Sequence, residues 1–315
     1  MQTFQYRLKP LSFRRVYSKV LQALVFSLIT VSLTNCGPPP QSTHPAVPTF
    51  SHIFTIVMEN KEYKTVIGNP HAPYLNSLAS TYAVATQYYA ITHPSLPNYL
   101  ALTAGSTLSI NSDCTDCFQQ ASNLADQIEG SGHTWKAYME SMPSPCYVGN
   151  SVDGLYVQKH NPFLYYDDIR TNSNRCAAHD VPFTQFTTDL SANRLPNYVW
   201  ITPNMCHDTH ICSIAVGDTW LSQVVPSILQ STAFTQGGVL FITFDEGKTR
   251  DGCCNDAMGG KVATLVISPL IKKGMHSTIA ETHYSLLRTV EEAWKLAALG
   301  EAAKSAAMTE YFTNS

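Results

Sequence analysis

The segment His52–Asn60, HIFTIVMEN, decides the fold class. Its first seven residues form a short apolar run rich in β-branched side chains, and the polar pair Glu59-Asn60 follows directly. Such a run is typical of a strand buried inside a parallel sheet. Open α/β sheets bind their ligands at the carboxyl ends of the strands. The segment therefore predicts a buried parallel strand that delivers Glu59 and Asn60 to a binding site.

Strand and helix patterns alternate along the rest of the chain, which predicts an α/β fold with a mainly parallel sheet. We expect residues 140–180, rich in Pro, Asn, Asp and Tyr, to form a long ordered insertion. Polar groups beginning at Thr202, Asp245 and Ser268 follow three strands and are expected at one edge of the sheet. Strands are predicted at 83–90, 134–139, 197–201, 238–244 and 262–267, and helices at 73–81, 97–104, 122–129, 182–190, 217–230 and 282–296.

The amino-terminal region predicts export. Residues 1–35 carry five basic and no acidic residues, and the apolar run at 20–34 is shorter than the ~20 residues of a membrane span. This favours a signal peptide. The sequence LTNC at 33–36 is similar to a lipoprotein signal, which would make Cys36 a lipid anchor and the protein's link to a membrane; the alternative is ordinary cleavage with Cys36 incidental. A proline-rich linker at 36–50 then leads to one domain, residues 51–315.

Charge excludes one class of partner. Beyond residue 35 the chain has 15 Lys and Arg residues against 23 Asp and Glu residues. Nucleic-acid binding calls for a basic face, so no nucleic-acid partner is predicted. An acidic protein that acts on an anionic substrate needs a cation at its site. The sequence leaves the oligomeric state open.

Apart from Cys36, the chain has eight cysteines, and an even number in an exported protein predicts disulfides. We favour pairing between nearest neighbours: Cys114 with Cys117, Cys146 with Cys176, Cys206 with Cys212, and Cys253 with Cys254. The alternatives are a redox role for Cys114 and Cys117, a zinc site in the segment 206–212, CHDTHIC, and other partners for Cys253 and Cys254.

The segment 87–105, QYYAITHPSLPNYLALTAG, places Ser95 at the start of a predicted helix. Helix amino termini carry unpaired N–H groups that stabilise an alkoxide or a phosphate. Ser95 is therefore either a simple N-cap or a nucleophile. We interpret His93 as a loop residue that bonds the backbone, and leave it out of the site.

Carboxylates at the predicted strand ends complete a candidate site. Glu59, Asp208, Asp245 and Glu246 are expected to converge, and such a cluster repels itself unless a divalent cation neutralises it. Taken singly, each of these residues has an ordinary structural role as a turn or helix cap. The oxygen ligands suit Mg, Ca or Mn at least as well as Zn.

Six motifs in order resemble one family, the phosphoesterase family of acid phosphatases and bacterial phospholipases C within the alkaline-phosphatase-like superfamily. The resemblance implies a three-layer α/β/α sandwich and makes residues 51–315 a phosphoesterase catalytic domain. The motifs are IVMEN at 56–60, THPSLPNYLALTAG at 92–105, KHNPF at 159–163, TPNMCHDTH at 202–210, FDEG at 244–247 and HYSLLRTVEEAW at 283–294.

The resemblance also implies roles. Ser95 is the expected nucleophile, and two positions depart from the family pattern: His207 stands where asparagine is common, and Ile211 where many members have an acidic residue. A second cation is a further expectation near Asp208, His210 and His283. The implied divalent-cation ligands are Glu59, Asn60, Ser95, Asp245 and Glu246; the implied substrate-binding residues are Asn60, Asn204, His207 and Asp208; and the implied catalytic histidines are His160, His210 and His283.

The function that follows is hydrolysis of small phosphate esters by an exported, metal-dependent enzyme. Phosphomonoesters are preferred, with a phosphoserine intermediate at Ser95. The alternatives are a phospholipase C that cleaves phosphodiesters and a catalytically silent surface protein that keeps the fold for binding.

Overall fold

The computed structural model of the chain describes residues 46–313, in which strands and helices alternate. The predicted signal peptide, Cys36 and most of the predicted linker lie outside the described residues. The strands are β1 Ile53–Met58, β2 Ala83–Ala85, β3 Tyr88–Tyr89, β4 Trp135–Met139, β5 Ser151–Val152, β6 Tyr156–Val157, β7 Asp180–Pro182, β8 Tyr198–Thr202, β9 Val239–Phe244, β10 Thr264–Ile267, β11 Met275–Ser277 and β12 Glu281–Thr282.

The helices account for the other layers. Short 3₁₀ helices cover Gln158–His160, Pro162–Tyr165 and Gly300–Lys304. The α-helices are α1 Tyr63–Val66, α2 Pro73–Thr81, α3 Ser95–Ala104, α4 Leu124–Gly130, α5 Asp167–Arg170, α6 Ser173–His179, α7 Thr184–Ser191, α8 Ile214–Leu229, α9 Thr232–Thr235 and α10 His283–Trp294.

The central sheet has eight strands in the order β11-β2-β10-β9-β1-β8-β4-β7. Strand β1 lies between β9 and β8 and is parallel to both. Every residue of β1, β8 and β9 is buried, as their continuous apolar sequences require. Helix α2 packs with α8, and α3 packs with α10 and α4. The predicted α/β class, mainly parallel sheet and three-layer architecture are confirmed.

Strand β10 departs from the prediction because it runs antiparallel to both β9 and β2. Its carboxyl end therefore lies at the opposite edge of the sheet from that of β9. Ser268, which follows β10, donates a hydrogen bond to the carbonyl of Gly238, the residue before β9. The expectation that the polar group at Ser268 joins the other strand ends is wrong.

Two short segments also differ from the sequence pattern. The single strand predicted at 83–90 divides into β2, in the central sheet, and β3, which pairs with β12 in a separate sheet. The end of the insertion forms the edge strand β7, which is parallel to β4. Within residues 46–313, no helix has the length and apolar character to cross a bilayer.

Candidate active site

The polar residues after β1, β8 and β9 meet at one edge of the sheet because these three strands are neighbours and parallel. The backbone N–H of Glu59 donates to the carbonyl of Asp208 (2.8 Å), and that of Asp245 donates to Met58 (2.9 Å). The N–H of Asn60 donates to Asp245 Oδ1 (3.0 Å). Glu59, Asp208 and Asp245 are fully buried. The fold thus brings three predicted carboxylates together.

Ser95 faces this cluster from the first turn of α3. Its Oγ donates toward Glu59 Oε2 (3.2 Å) and Glu246 Oε1 (3.4 Å). The side chain is 1% exposed. Pro94 occupies the N-cap position of α3, so the interpretation of Ser95 as the cap is wrong and its hydroxyl is free to face the carboxylates. The structure brings Ser95, Glu59, Asn60, Asp245 and Glu246 into one cluster.

His160, Asp208 and His210 form an adjoining group. His160 Nε2 lies 3.1 Å from Glu59 Oε1, and its Nδ1 lies 3.4 Å from Asp208 Oδ2. Neither approach has hydrogen-bond alignment. The ring centres of His160 and His210 are 5.8 Å apart, and Tyr99 stacks on His160. This group joins the Ser95 cluster through Glu59.

Three other predicted site residues are bonded elsewhere. His283 Nε2 contacts the carbonyl of Asp245 (2.6 Å) and its Nδ1 contacts the hydroxyl of Tyr88 (3.1 Å), so in this arrangement neither ring nitrogen is open to a cation. Asn204 Oδ1 accepts from the amides of residues 206 and 207, which is a turn-stabilising pattern. His207 Nδ1 contacts Glu140 (2.9 Å) and its ring stacks on Trp220.

Burial is the main cause of the pKa shifts in the site. It raises the pKa of Glu59, and the charges of Asp245 and Asp208 raise it further. Burial followed by Asp245 raises the pKa of Glu246 to about 9, and burial raises that of Asp208 to about 7. Burial lowers the pKa of His160 to about 3. Burial and mutual repulsion therefore favour the neutral forms of these carboxyl groups, and a bound cation would favour the ionised forms.

The residues present fit a divalent cation. Asp245 Oδ2, Asp208 Oδ2, His160 Nε2 and His210 Nδ1 are buried polar atoms without a hydrogen-bond partner. Such atoms are costly unless something satisfies them, and an ion is one way to do so. Ligand atoms of Glu59, His160 and His210 lie within 4.8 Å of one another. Glu59 thus belongs to two sets of candidate ligand atoms. One set is the carboxylates around Ser95, and the other is the imidazoles of His160 and His210 near Asp208.

Sequence reasoning missed two residues that contact the carboxylates. The Tyr99 hydroxyl donates to Glu59 Oε1 (2.5 Å) from inside α3. His93 Nδ1 contacts Glu246 Oε2, while its Nε2 donates to the carbonyl of Thr249 (2.8 Å). The expected backbone bond of His93 is present, but its exclusion from the site is wrong. The apolar residues around Tyr99 in the sequence do not indicate a carboxylate partner. A histidine two residues before Ser95 does indicate a possible site residue.

The cysteines largely follow the nearest-neighbour prediction. Disulfides join Cys114 to Cys117, Cys146 to Cys176 and Cys206 to Cys212. The Cys206–Cys212 bond removes both thiolates from the alternative zinc site. The predicted fourth bond is wrong, because Cys253 and Cys254 are exposed free thiols with their sulfurs 2.7 Å apart. Disulfides of this kind are typical of proteins that fold outside the reducing cytoplasm.

Comparison with known proteins identifies the fold and the family of the chain. By fold, the chain is similar to a solved protein of the alkaline phosphatase superfamily from Vibrio parahaemolyticus, with a TM-score of 0.56 at 13% identity, over 85% of this chain and 74% of that one. A profile described as the phosphoesterase family matches residues 60–297. The chain belongs to the phosphoesterase family. The predicted enzyme class, a phosphoric ester hydrolase, is confirmed.

Two relatives illustrate the range of this family. The chain is 32% identical over 268 residues to a phosphatidylinositol-3-phosphatase of Mycobacterium tuberculosis, covering 84% of each chain. It is 30% identical over 261 residues to an acid phosphatase of Aspergillus fumigatus, covering 80% of this chain and 56% of the fungal protein. The chain thus spans little more than half the length of that fungal relative.

Proposed function

We propose that the chain is an exported, metal-dependent phosphomonoesterase that hydrolyses small phosphate esters through a phosphoserine at Ser95. One observation carries the proposal: buried carboxylates from neighbouring strand ends surround the Ser95 hydroxyl, at 3.2 Å for Glu59 and 3.4 Å for Glu246. A serine hydroxyl needs either a base or a cation to become nucleophilic. No neutral base contacts Ser95 within the described residues, so we assign the activation of Ser95 to a cation held by the carboxylates.

The cation ligands in this proposal are the carboxylates of Glu59, Asp245 and Glu246, with Asn60 and Ser95. When bound, a divalent cation would supply the positive charge that lowers the pKa of the serine hydroxyl and neutralises phosphoryl oxygens. Oxygen ligands favour Mg, Ca or Mn, and the neighbouring imidazoles add a donor type that suits Zn. The Asp208, His160 and His210 group is the place for a second cation or for the substrate's phosphoryl oxygens.

The chain's own residues divide the remaining work. Ser95 attacks phosphorus, and the amino terminus of α3 stabilises negative charge beside it. The leaving alcohol needs a proton and must depart toward solvent. His210 is half-buried, unlike the fully buried His160 and His283. With a single cation bound around Ser95, the His210 ring is not a metal ligand, and we assign it as the proton donor and later the base for water. His283 holds the backbone of Asp245, and His160 lies between Glu59 and Asp208.

The names of the relatives support monoesters as substrates. An acid phosphatase and a phosphatidylinositol-3-phosphatase both release phosphate from a monoester. The substrate we propose is therefore a small phosphorylated alcohol. Disulfide formation and the predicted signal peptide support an extracellular or cell-surface location.

The test is Ser95→Ala, assayed on an aryl phosphate with phosphatidylcholine as the diester comparison. We expect kcat to fall by at least about 10³-fold, because nucleophile removal leaves only residual catalysis by the remaining site. Ser80→Ala, at an exposed position of α2, is the matched control and should leave kcat unaltered. A Ser95→Ala enzyme as fast as the parent would exclude the mechanism, and faster hydrolysis of phosphatidylcholine by the parent would favour the phospholipase C function.

A further inference from the structure

The three carboxylates nearest Ser95 share a pattern in which a protein group holds one oxygen of each. For Glu59, the Tyr99 hydroxyl holds Oε1, while Oε2 accepts from Asn60 Nδ2 (2.7 Å) and faces Ser95. For Asp245, the N–H of Asn60 holds Oδ1 and leaves Oδ2 buried without a partner. The held oxygens fix each carboxylate in orientation, and Oε2 of Glu59 and Oε1 of Glu246 face the Ser95 hydroxyl.

Glu246 follows the same pattern through His93. His93 Nδ1 contacts Oε2, and Oε1 lies 3.4 Å from Ser95 Oγ. The Glu246 side chain is 7% exposed, against 30% for His93. His93 thus holds one oxygen of Glu246, as Tyr99 holds one oxygen of Glu59. His93 is the more exposed partner and contacts the carboxylate from the solvent side.

The orientation of the His93 ring is itself fixed by a defined network. Its Nε2 donates to the carbonyl of Thr249 (2.8 Å). The amides of Lys248 and Thr249 donate to Oε1 of the buried Glu62, at 2.6 and 2.7 Å. Gly247 packs so closely on Glu62 that an added Cβ would lie 2.3 Å from Oε1. Glu62 therefore fixes the loop, the loop fixes His93, and His93 contacts Glu246.

We propose that His93 is a positioning residue that orients Glu246 so that its Oε1 faces Ser95 and a bound divalent cation. This inference rests on the proposed function, because it takes the carboxylate cluster to be a cation site. Groups that hydrogen-bond a metal-ligating side chain contribute about 10- to 100-fold to metal affinity. The role is orientation of a ligand, and His93 itself does not contact the reacting atoms.

Three substitutions separate the two contacts of His93. The amide nitrogen of Asn in His93→Asn reaches the position of Nδ1 and keeps the contact with Glu246. The longer side chain in His93→Gln places its amide near Nε2 and keeps the contact with Thr249. His93→Ala removes both contacts. His71→Ala, at an exposed histidine in the loop before α2, is the matched control.

The experiment measures Mn²⁺ binding to the chelator-stripped full chain by calorimetry, with the metal-induced rise in unfolding temperature as a second readout. We expect His93→Ala and His93→Gln to bind Mn²⁺ about 10- to 100-fold more weakly than the parent. His93→Asn and His71→Ala should bind it nearly as tightly as the parent. The Asn and Gln variants give the answer even where the Ala variant fails to fold.

Two results would overturn the inference alone. The first is His93→Ala binding Mn²⁺ as tightly as the parent. The second is parent-like Mn²⁺ affinity in His93→Gln but not in His93→Asn, which would make the contact with Thr249 the important one. A different result would overturn the proposed function as well. That result is a parent protein that binds neither Mn²⁺ nor another added divalent cation and keeps full activity after chelation.

Discussion

Tyr99→Phe removes a single hydroxyl from the buried side of the site. That hydroxyl donates to Glu59 Oε1 at 2.5 Å, and both side chains are fully buried. Water cannot replace the lost donor at such a position. The other group near Oε1, His160 Nε2, lies 3.1 Å away without hydrogen-bond alignment. The substitution therefore leaves Oε1 of Glu59 without a donor.

The magnitude depends on the charge of Glu59. A hydrogen bond to a charged group contributes about 1.5–3 kcal/mol, and a neutral one about 0.5–1.5 kcal/mol. Burial and the neighbouring carboxylates raise the pKa of Glu59, which favours its neutral form, whereas a bound cation would favour the ionised form. The substitution therefore removes more hydrogen-bond energy from the metal-bound state than from the cation-free state. Metal affinity reports the difference between the two losses, about 1–1.5 kcal/mol, so we expect Tyr99→Phe to weaken divalent-metal binding by about 5- to 10-fold.

The assay is recovery of aryl phosphatase activity as Mn²⁺ is added back to the chelated protein, with calorimetric affinity as an independent readout. Tyr166→Phe is the matched control, because its buried hydroxyl bonds the neutral Thr103 Oγ1 at 2.6 Å. It loses a comparable hydroxyl whose hydrogen-bond partner is Thr103 and not a carboxylate, so metal affinity should not change. Equal metal affinity in Tyr99→Phe and the parent would refute the role of Glu59 as a ligand held by Tyr99.

Two further predictions concern the surroundings of Ser95 and the insertion. Asn98 is buried, and its side chain bonds four backbone groups of the loop before Ser95. Asn98→Ala should therefore lower the free energy of unfolding by about 2–5 kcal/mol and reduce kcat. An unchanged free energy of unfolding in a denaturant titration would contradict this prediction. Burial raises the pKa of Asp180 to about 7, so the native state keeps a proton that the unfolded state releases above its lower pKa. Stability relative to Asp180→Asn should therefore fall as pH rises from about 4 toward 7, by about 1.4 kcal/mol per pH unit; parallel stability curves for the two proteins would refute the assignment.

The sequence predicted the core of the site because three buried strands end in polar residues. Strands β1, β8 and β9 read as apolar runs, and parallel neighbours necessarily place Glu59, Asp208 and Asp245 at one edge. Local patterns do not encode strand direction, so the antiparallel course of β10 was missed. Strand β7 was missed because its three residues carry no periodicity of their own.

The side chains that orient the site were harder to predict. Tyr99 meets Glu59 across 40 residues and His93 meets Glu246 across 153 residues, so only the tertiary fold pairs them. The roles predicted for Asn204, His207 and His283 came from matching motifs alone. Their bonds to Glu140, Ser141, Tyr88 and backbone groups depend on loops that a motif does not describe.

The central claim is that phosphoryl transfer passes through Ser95, and the stereochemistry at phosphorus tests it most directly. The measurement is the configuration of the product when the parent enzyme transfers an isotopically chiral phosphoryl group from a monoester to an acceptor alcohol. Two successive in-line displacements, first by Ser95 and then by the acceptor, predict retention of configuration. Inversion would mean a single direct displacement and would contradict the phosphoserine mechanism.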